Sequence, residues 1–381
     1  MKKTKYFILI LLFVTLLFLC GCTKTPATSP SFGTSRSDSN SPPEVSTGSS
    51  KDSVLLPGTS SEISKSSSFA VHFIDVGQGD SALILCDGKA MLIDGGEATQ
   101  SSKIYAYLAR NGVAHLDYVV ATHPHSDHIG GLSGALNYAS VDTVFCSTSS
   151  YVSKTFSSFV KYLHKQDVEI TVPRAGDSFT LGSASIQILG PQKNYSEIND
   201  TSIVLQITYG NTSFLFTGDA ERTAEADILA TGYNLGSTVL KVGHHGSDTS
   251  TSYPFLREIM PKYAVISVGK DNSYGHPTEN TLSRLRDADV KVYRTDLQGT
   301  IICNSDGRNV TFSPERNEFA QTNPTATHAS DKEGQFIGNK NSKKFHLPTC
   351  KNLPAEKNRV YWDSRQTAIN GGYNPCGNCN P

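Results

Sequence analysis

The sequence predicts an α/β (α+β) fold, two sheets sandwiched between helices, with a small module appended at the C-terminus. Three observations carry this reading. Short β-rich runs punctuated by Gly and Asp open the folded region, and strand–helix alternation then follows twice over. A polar stretch, SPERNEFAQTNPTATHASDKEG (313–334), sets off residues 335–381. Roughly 310 residues are also too many for one small core and suggest a main domain plus an appendage.

In chain order, residues 1–22 come first. Lys2, Lys3 and Lys5 precede an apolar stretch from Tyr6 to Cys20, shorter than the roughly 20 residues a membrane-spanning helix needs. It ends at LCGC (19–22), which resembles a bacterial lipoprotein cleavage box with Cys22 as the acylated residue. A charged start, a short apolar core and a small residue before the cut favour a signal peptide, with an uncleaved anchor as the alternative. Either way the bulk of the chain is expected outside the cytoplasmic membrane, lipid-anchored on its extracellular face. Residues 23–68 are rich in Ser, Thr and Pro and cannot bury enough apolar surface to offset their ordering entropy, so they read as a disordered tether. Without the signal the chain carries 31 basic and 35 acidic groups, net −4, which argues against a global nucleic-acid-binding field.

The main domain is expected over residues 69–312. FAVHFIDV (69–76), SALILC (81–86) and AMLIDGG (90–96) read as strands joined by tight turns. SSKIYAYLARNGV (101–113) carries Ile104, Tyr105 and Leu108 at helical spacing. A strand (116–122) and a helix (153–166) follow, then strands at 185–191, 202–210 and 212–219. The pattern closes with a helix (221–231), a strand (238–243), a helix (251–259) and a strand (263–269).

THPHSDHIGG (122–131) concentrates the chemistry. LDYVVAT (116–122) is a continuous apolar run, as a strand covered on both faces should be. His123 and His125 stand two apart just past its end, so an extended backbone points both to one side. Asp127 and His128 fit the first turn of a following helix, and Gly130 and Gly131 permit close backbone approach. Imidazoles with one carboxylate suit zinc or a borderline cation with open coordination.

HPHSDH (123–128) resembles the signature of the metallo-β-lactamase fold, an αββα sandwich carrying one or two metals. IDVGQGD (74–80), NDTS (199–202), FLFTGDAE (214–221), LKVGHHGS (240–247) and YGHP (274–277), in that order, resemble the soluble hydrolase domain of ComEC-type DNA-uptake proteins. The resemblance covers roughly residues 69–312 and implies two divalent ions, Zn or Mn. His123 and His125 would hold the first, Asp127 and His128 the second, and Asp219 would bridge them. One of His244 and His245 would complete the second site; strand parity through Leu240 and Val242 leans to His244 and leaves His245 a catalytic role. Asp94 would orient a ligand histidine. Asp75, Asn199 and Ser202 are candidates for contacts to ligands or substrate. His276 would reach the metals or a substrate phosphate, or serve as a structural histidine. Many dinuclear members have another histidine near position 199, where this chain has Asn199 and Ser202, which leaves occupancy of the first site open.

Two cations about 3.5–4 Å apart lower the pKa of a bridging water and neutralise charge on a phosphoryl group. Asp127 would orient the attacking hydroxide, and His245 or His276 would stabilise oxyanion charge or protonate a leaving alkoxide. The fold alone does not pick a substrate, since it also hosts lactamases, thioesterases and oxidoreductases. The resemblance favours phosphodiester hydrolysis, with DNA or RNA as first choice in competence or DNA uptake. Alternatives are a phosphocholine or teichoic-acid phosphodiester of the cell wall, and a non-catalytic nucleic-acid-binding lipoprotein. A β-lactamase ranks last, because the ligand pattern after Asp219 differs.

In residues 335–381, His346 and Cys350 form H-x3-C, and Cys376 and Cys379 form C-x2-C after 25 residues, a plausible tetrahedral structural zinc set. Phe336, Phe345, Tyr361, Trp362 and Tyr373 could make a miniature core, which at this size usually needs a staple. The pattern is similar to the small metal-binding domain of Ada-type DNA-repair proteins, whose ligands are all cysteines, so His346 departs from it. A disulfide among Cys350, Cys376 and Cys379 is the alternative outside the membrane. Seven Lys/Arg against Glu356 and Asp363 make the module net +5, suited to phosphate contacts. Cys86, Cys146 and Cys303 end apolar strands and read as buried filler.

Overall fold

Tight turns tie the first apolar runs into an antiparallel meander. β1 (Phe69–Phe73), β2 (Ala82–Cys86) and β3 (Lys89–Ile93) pair in sequence. Asp87 and Gly88, both at positive φ (52° and 81°), form the two-residue turn that suits the twist of a hairpin. The computed structural model describes residues 68–324, 336–379 and 381. The signal segment 1–22 with Cys22, the tether up to residue 67 and residues 325–334 of the polar joint lie outside the described residues.

The first sheet grows by crossovers, as parallel strands require. β4 (His115–Ala121), β5 (Ser140–Cys146) and β6 (Ile170–Thr171) run parallel beside β3. α1 (Ser101–Arg110), α2 (Ser126–Ile129), α3 (Leu132–Tyr138) and α4 (Lys154–His164) provide the connections. The second sheet starts with the antiparallel β7 (Ser178–Leu181), β8 (Ala184–Gly190), β9 (Val204–Tyr209) and β10 (Thr212–Phe216). It continues with the parallel β11 (Val239–Lys241), β12 (Tyr263–Ile266) and β13 (Lys291–Arg294), each reached from the strand before it through a helix: α5 (Arg222–Ala230), α6 (Tyr253–Ile259) and α7 (Glu279–Asp287) in turn. After α8 (Thr295–Gln298), β14 (Ile301–Ser305) returns to pair with β1, and β15 (Val310–Pro314) forms the edge.

Three apolar layers hold this together. Phe73, Ile84, Ile186 and Phe214 fill the space between the sheets. Ile104, Leu108 and Phe159 bury α1 and α4 on the outer face of the first sheet. Ile228, Phe255 and Leu285 do the same for α5, α6 and α7 on the second. The architecture is therefore αββα. Three helices of the main domain escaped the sequence reading: α3 and α8 are short, and α7 buries only Leu282 and Leu285 as apolar residues, too thin a stripe to register. The main domain also runs past 312. β15 ends at Pro314, and Thr322 Oγ1 donates to Val292 O at 2.6 Å.

The module is a sheet of order β18-β16-β17-β19, from β16 (Phe336–Asn339), β17 (Lys344–His346), β18 (Arg359–Trp362) and β19 (Asn374–Pro375). α9 (Arg365–Asn370) covers it and starts at a capping box between Ser364 and Thr367. Phe345, Ala368, Ile369 and Tyr373 are its core, with Phe336, Val360 and Trp362 packed against them. Tyr361 does not join them and is 53% exposed, because strand alternation turns its neighbours Val360 and Trp362 inward instead. Of the three filler cysteines, all buried, Cys86 and Cys146 end strands and Cys303 lies mid-strand.

Candidate metal centre

β4 delivers His123 and His125 to the end of the first sheet, His125 Nδ1 lying 3.0 Å from His123 Nε2. α2 then turns Asp127 and His128 toward the same place. Gly130 and Gly131 let that helix sit against residues 95–98: a Cβ at Gly130 would meet Ala98 N at 2.2 Å, and one at Gly131 would meet Gly95 O at 1.9 Å. From the second sheet, Gly218 (φ 50°) breaks β10 and presents Asp219, only 2% exposed. Ser202 Oγ accepts from Asp219 N at 3.1 Å and lies 3.3 Å from His123 Nδ1.

Donor atoms of Asp127, His128, Asp219 and His245 all lie within 4.8 Å of one another. Asp219 Oδ2 is 3.2 Å from His128 Nε2 and 3.7 Å from His245 Nε2, and Asp127 Oδ2 is 3.2 Å from His245 Nε2. His123 and His244 stand outside this quartet but reach the same Asp219 oxygen, at 3.9 and 3.7 Å. Strand parity does not discriminate between His244 and His245, each with its Nε2 3.7 Å from Asp219 Oδ2. β11 ends at Lys241, and both histidines take left-handed backbone (φ 50° and 52°), so strand alternation no longer applies. Two consecutive non-glycine residues held in that region mark a segment shaped by its surroundings. His244 Nδ1 instead faces Glu221 at 3.3 Å and Thr249 Oγ1 at 3.2 Å.

The donor set fits a divalent cation. Asp219 Oδ1 and His128 Nε2 are buried without a hydrogen bond, a costly state unless something completes them. His128 Nδ1 lies 2.8 Å from Asp94 Oδ2, which also accepts from Thr122 Oγ1 at 2.7 Å, the carboxylate–histidine pairing that aims a ligand nitrogen. Burial pushes the Asp94 carboxyl up and drives His123 well below the usual imidazole value, so His123 is neutral. For His245, burial is outweighed by Asp219 and Asp80, which raise it to about 10. Asp219, Asp94 and Asp127 likewise overcome burial and raise His128, while the surrounding imidazoles overcome burial to hold Asp219 well below the carboxylate range.

Asp80 and Lys241 belong to this site and were missed in the sequence. Asp80 Oδ1 lies 3.1 Å from His245 Nδ1, and its Oδ2 pairs at 2.7 Å with Lys241 Nζ, both residues almost wholly buried. The signal was the last aspartate of IDVGQGD and a lysine inside an apolar strand. Asp75, the aspartate singled out in that motif, faces away: it accepts from Gly77 N and pairs with Arg316 Nη2 at 3.2 Å. Lys241→Met should leave Asp80 buried without its counter-charge, and urea unfolding is expected to lose about 3–5 kcal/mol, part of it restored by adding Asp80→Asn.

Asn199 does not reach the quartet; its Nδ2 donates to Glu221 Oε1 at 3.2 Å. His276 lies beside His244, ring centroids 5.6 Å apart, with Nδ1 buried and unpartnered. Burial and the His244 and His245 charges lower it to about 4, so it is neutral and offers an N–H. Exposed Tyr274 stacks on it at 5.7 Å. In the module, His346, Cys350, Cys376 and Cys379 also converge within 4.8 Å, and all three thiols are free.

These constellations fall in two matched regions. Residues 74–270, more than half of the chain, match the metallo-beta-lactamase superfamily, and the chain belongs to it. Residues 321–381 match the metal binding domain of Ada. Among individual proteins, the chain is 30% identical over 267 residues to ComE operon protein 3 of Bacillus subtilis and 34% identical over 236 residues to competence protein ComA of Neisseria gonorrhoeae. These alignments cover 65% and 61% of this chain but 34% and 32% of the relatives, so it spans about a third of their length. Among solved structures it is similar to the metallo-beta-lactamase fold protein YhfI of Bacillus subtilis (TM-score 0.43, 14% identity, 62% of this chain, 100% of that one).

Proposed function

We propose that the protein is a metal-dependent phosphodiesterase acting on DNA, exported and held on the outer face of the cytoplasmic membrane through Cys22. The carrying observation is the Asp127–His128–Asp219–His245 quartet, with its buried and unsatisfied donor atoms, at the meeting point of the two sheets. His123 and His125, with Asp219 shared, would hold a second ion. Divalent ions held there supply an acidified water and neutralise charge on a phosphoryl group. Asp127, the most accessible of the quartet, would orient the attacking water. His276, neutral and close by, donates to the oxyanion or leaving oxygen. Tyr274, 69% exposed beside it, offers a face on which a base can stack, which favours a nucleic acid over a wall polymer. The similarity to ComE operon protein 3 and competence protein ComA supports the same choice.

The purified chain loaded with Mn²⁺ or Zn²⁺ is expected to hydrolyse bis(p-nitrophenyl) phosphate, and Asp127→Ala to abolish it. No turnover with any divalent ion, alongside retained DNA binding, would instead leave a binding lipoprotein. Release of choline phosphate far outpacing DNA cleavage would replace the substrate.

A further inference from the structure

Between the main domain and the module lies a cavity of about 440 Å³, walled by Arg222, Asp248 and Arg284 on one side and by Lys344 and Arg365 on the other. The two sides are locked together. Arg365 pairs with Asp287 and donates from Nη2 to Ser283 Oγ at 2.7 Å. Tyr253 of α6 is buried in one cluster with Phe345, Ile369 and Tyr373 of the module. The cavity is therefore a built feature of the fold.

Its charge is unbalanced. Asp287 neutralises Arg365, which leaves the three cations Arg222, Arg284 and Lys344 against one lining carboxylate, Asp248, whose Oδ2 also accepts from Asn280 Nδ2 at 3.2 Å. Arg284 is only 6% exposed, yet its Nη2 donates to uncharged acceptors alone: Ser250 O at 2.9 Å, Thr281 Oγ1 at 2.8 Å and Asp248 O at 3.5 Å. Its Nε has no partner. Arg222 donates to the same Asp248 carbonyl. Among the described residues no carboxylate lies within 4.0 Å of Arg222, Arg284 or Lys344. Burial and the Arg222 charge oppose the protonated form of Arg284, while Tyr253, Glu225 and Asp248 favour it from a distance and only partly offset them. A buried guanidinium with no carboxylate in contact is costly, and phosphate oxygens match its geometry.

The cavity also adjoins the metal centre. Arg222 follows Glu221, which faces His244, and its backbone N donates to Thr249 O at 3.1 Å; Thr249 Oγ1 in turn lies 3.2 Å from His244 Nδ1. The 244–251 loop thus has the histidines on one side and the cationic wall on the other.

We infer that this cleft is a phosphate subsite for an extended nucleic-acid strand, seating a phosphate away from the one presented to the metal centre. The choice of nucleic acid rests on the function proposed above; the phosphate chemistry does not. The test is fluorescence anisotropy with labelled oligodeoxythymidylate, using the zinc-loaded full chain with Asp127→Ala so that the strand stays intact. Adding Arg222→Ala and Lys344→Ala, both at exposed positions, should weaken binding about tenfold and flatten the log Kd against log salt slope by about 1.4, about 0.7 per lost phosphate contact. Arg222→Lys with Lys344→Arg should restore both. Lys161→Ala with Lys165→Ala, on the exposed side of α4, should change neither. Equal affinity and slope in the Arg222/Lys344 alanine variant, or binding of inorganic phosphate without the strand, overturns the inference. Binding requires no turnover. A wild-type chain inert toward bis(p-nitrophenyl) phosphate that still grips the strand through these cations would therefore sink the catalytic reading and leave this one standing.

Discussion

Asp219→Asn is expected to reduce the bound metal to the ion of the module and to cut phosphodiester turnover by at least about 10³-fold, since even groups that only orient a ligand are worth about 10–100-fold. One carboxylate oxygen lies within 3.9 Å of nitrogens from His123, His128, His244 and His245. The amide keeps the shape of the side chain and removes the charge that the four imidazoles share. Metal analysis of the purified variant reads the first effect and bis(p-nitrophenyl) phosphate turnover the second; full metal content with unchanged turnover would refute the assignment. The same cluster sets a pH dependence. In the metal-free protein Asp219 and Asp80 outweigh burial and raise His245 to about 10, and His128 is raised as well. Both are then protonated at neutral pH, and a cation must displace those protons. Affinity should climb with pH through the neutral range, about tenfold per pH unit for each proton released, which calorimetry in buffers of different ionisation heat reads directly.

Cys376→Ser, or a chelator strong enough to strip zinc, is expected to unfold the module while the main domain stays folded. A core of this size is marginal without a staple, and structural zinc in comparable small domains contributes apparent binding free energies of about 10–16 kcal/mol. Burial works against the Cys376 thiolate, but backbone N–H groups of Asn378 and Cys379 outweigh it and lower its pKa, favouring the ligand form. The chain provides its own reporter. Trp362 is its single tryptophan, packed edge-on to Tyr373 at 5.3 Å and lying over Gly338 and Gly371, where an added Cβ would meet it at 2.8 and 2.3 Å. Metal removal should therefore red-shift the fluorescence in one transition, while the far-UV signal of the main domain persists. Unchanged emission after complete zinc loss would show that the module folds without its metal.

Much of this was legible along the chain because the signals are local. The apolar runs that became β1 to β4 and β8 to β12 are continuous in sequence, and HPHSDH places two histidines by strand geometry and two ligands by a helical turn. The same holds for the H-x3-C and C-x2-C pairs of the module. Placing His244 and His245 around Asp219 lay beyond such reasoning, since it depends on where β11 stops and on backbone that leaves the extended region. Asp75 and Asp80 share one short motif, and only the packing of β11 against the first sheet decides that Lys241 and His245 meet the second of them. The cationic cleft is more remote still, joining Arg222 and Arg284 to Lys344 from another domain. Local sequence dictates which backbone forms and which donors are available, because propensity and short-range spacing act over a few residues. Which donors share a point in space is settled by how sheets and domains pack, since burial and charge compensation act between segments distant in the chain.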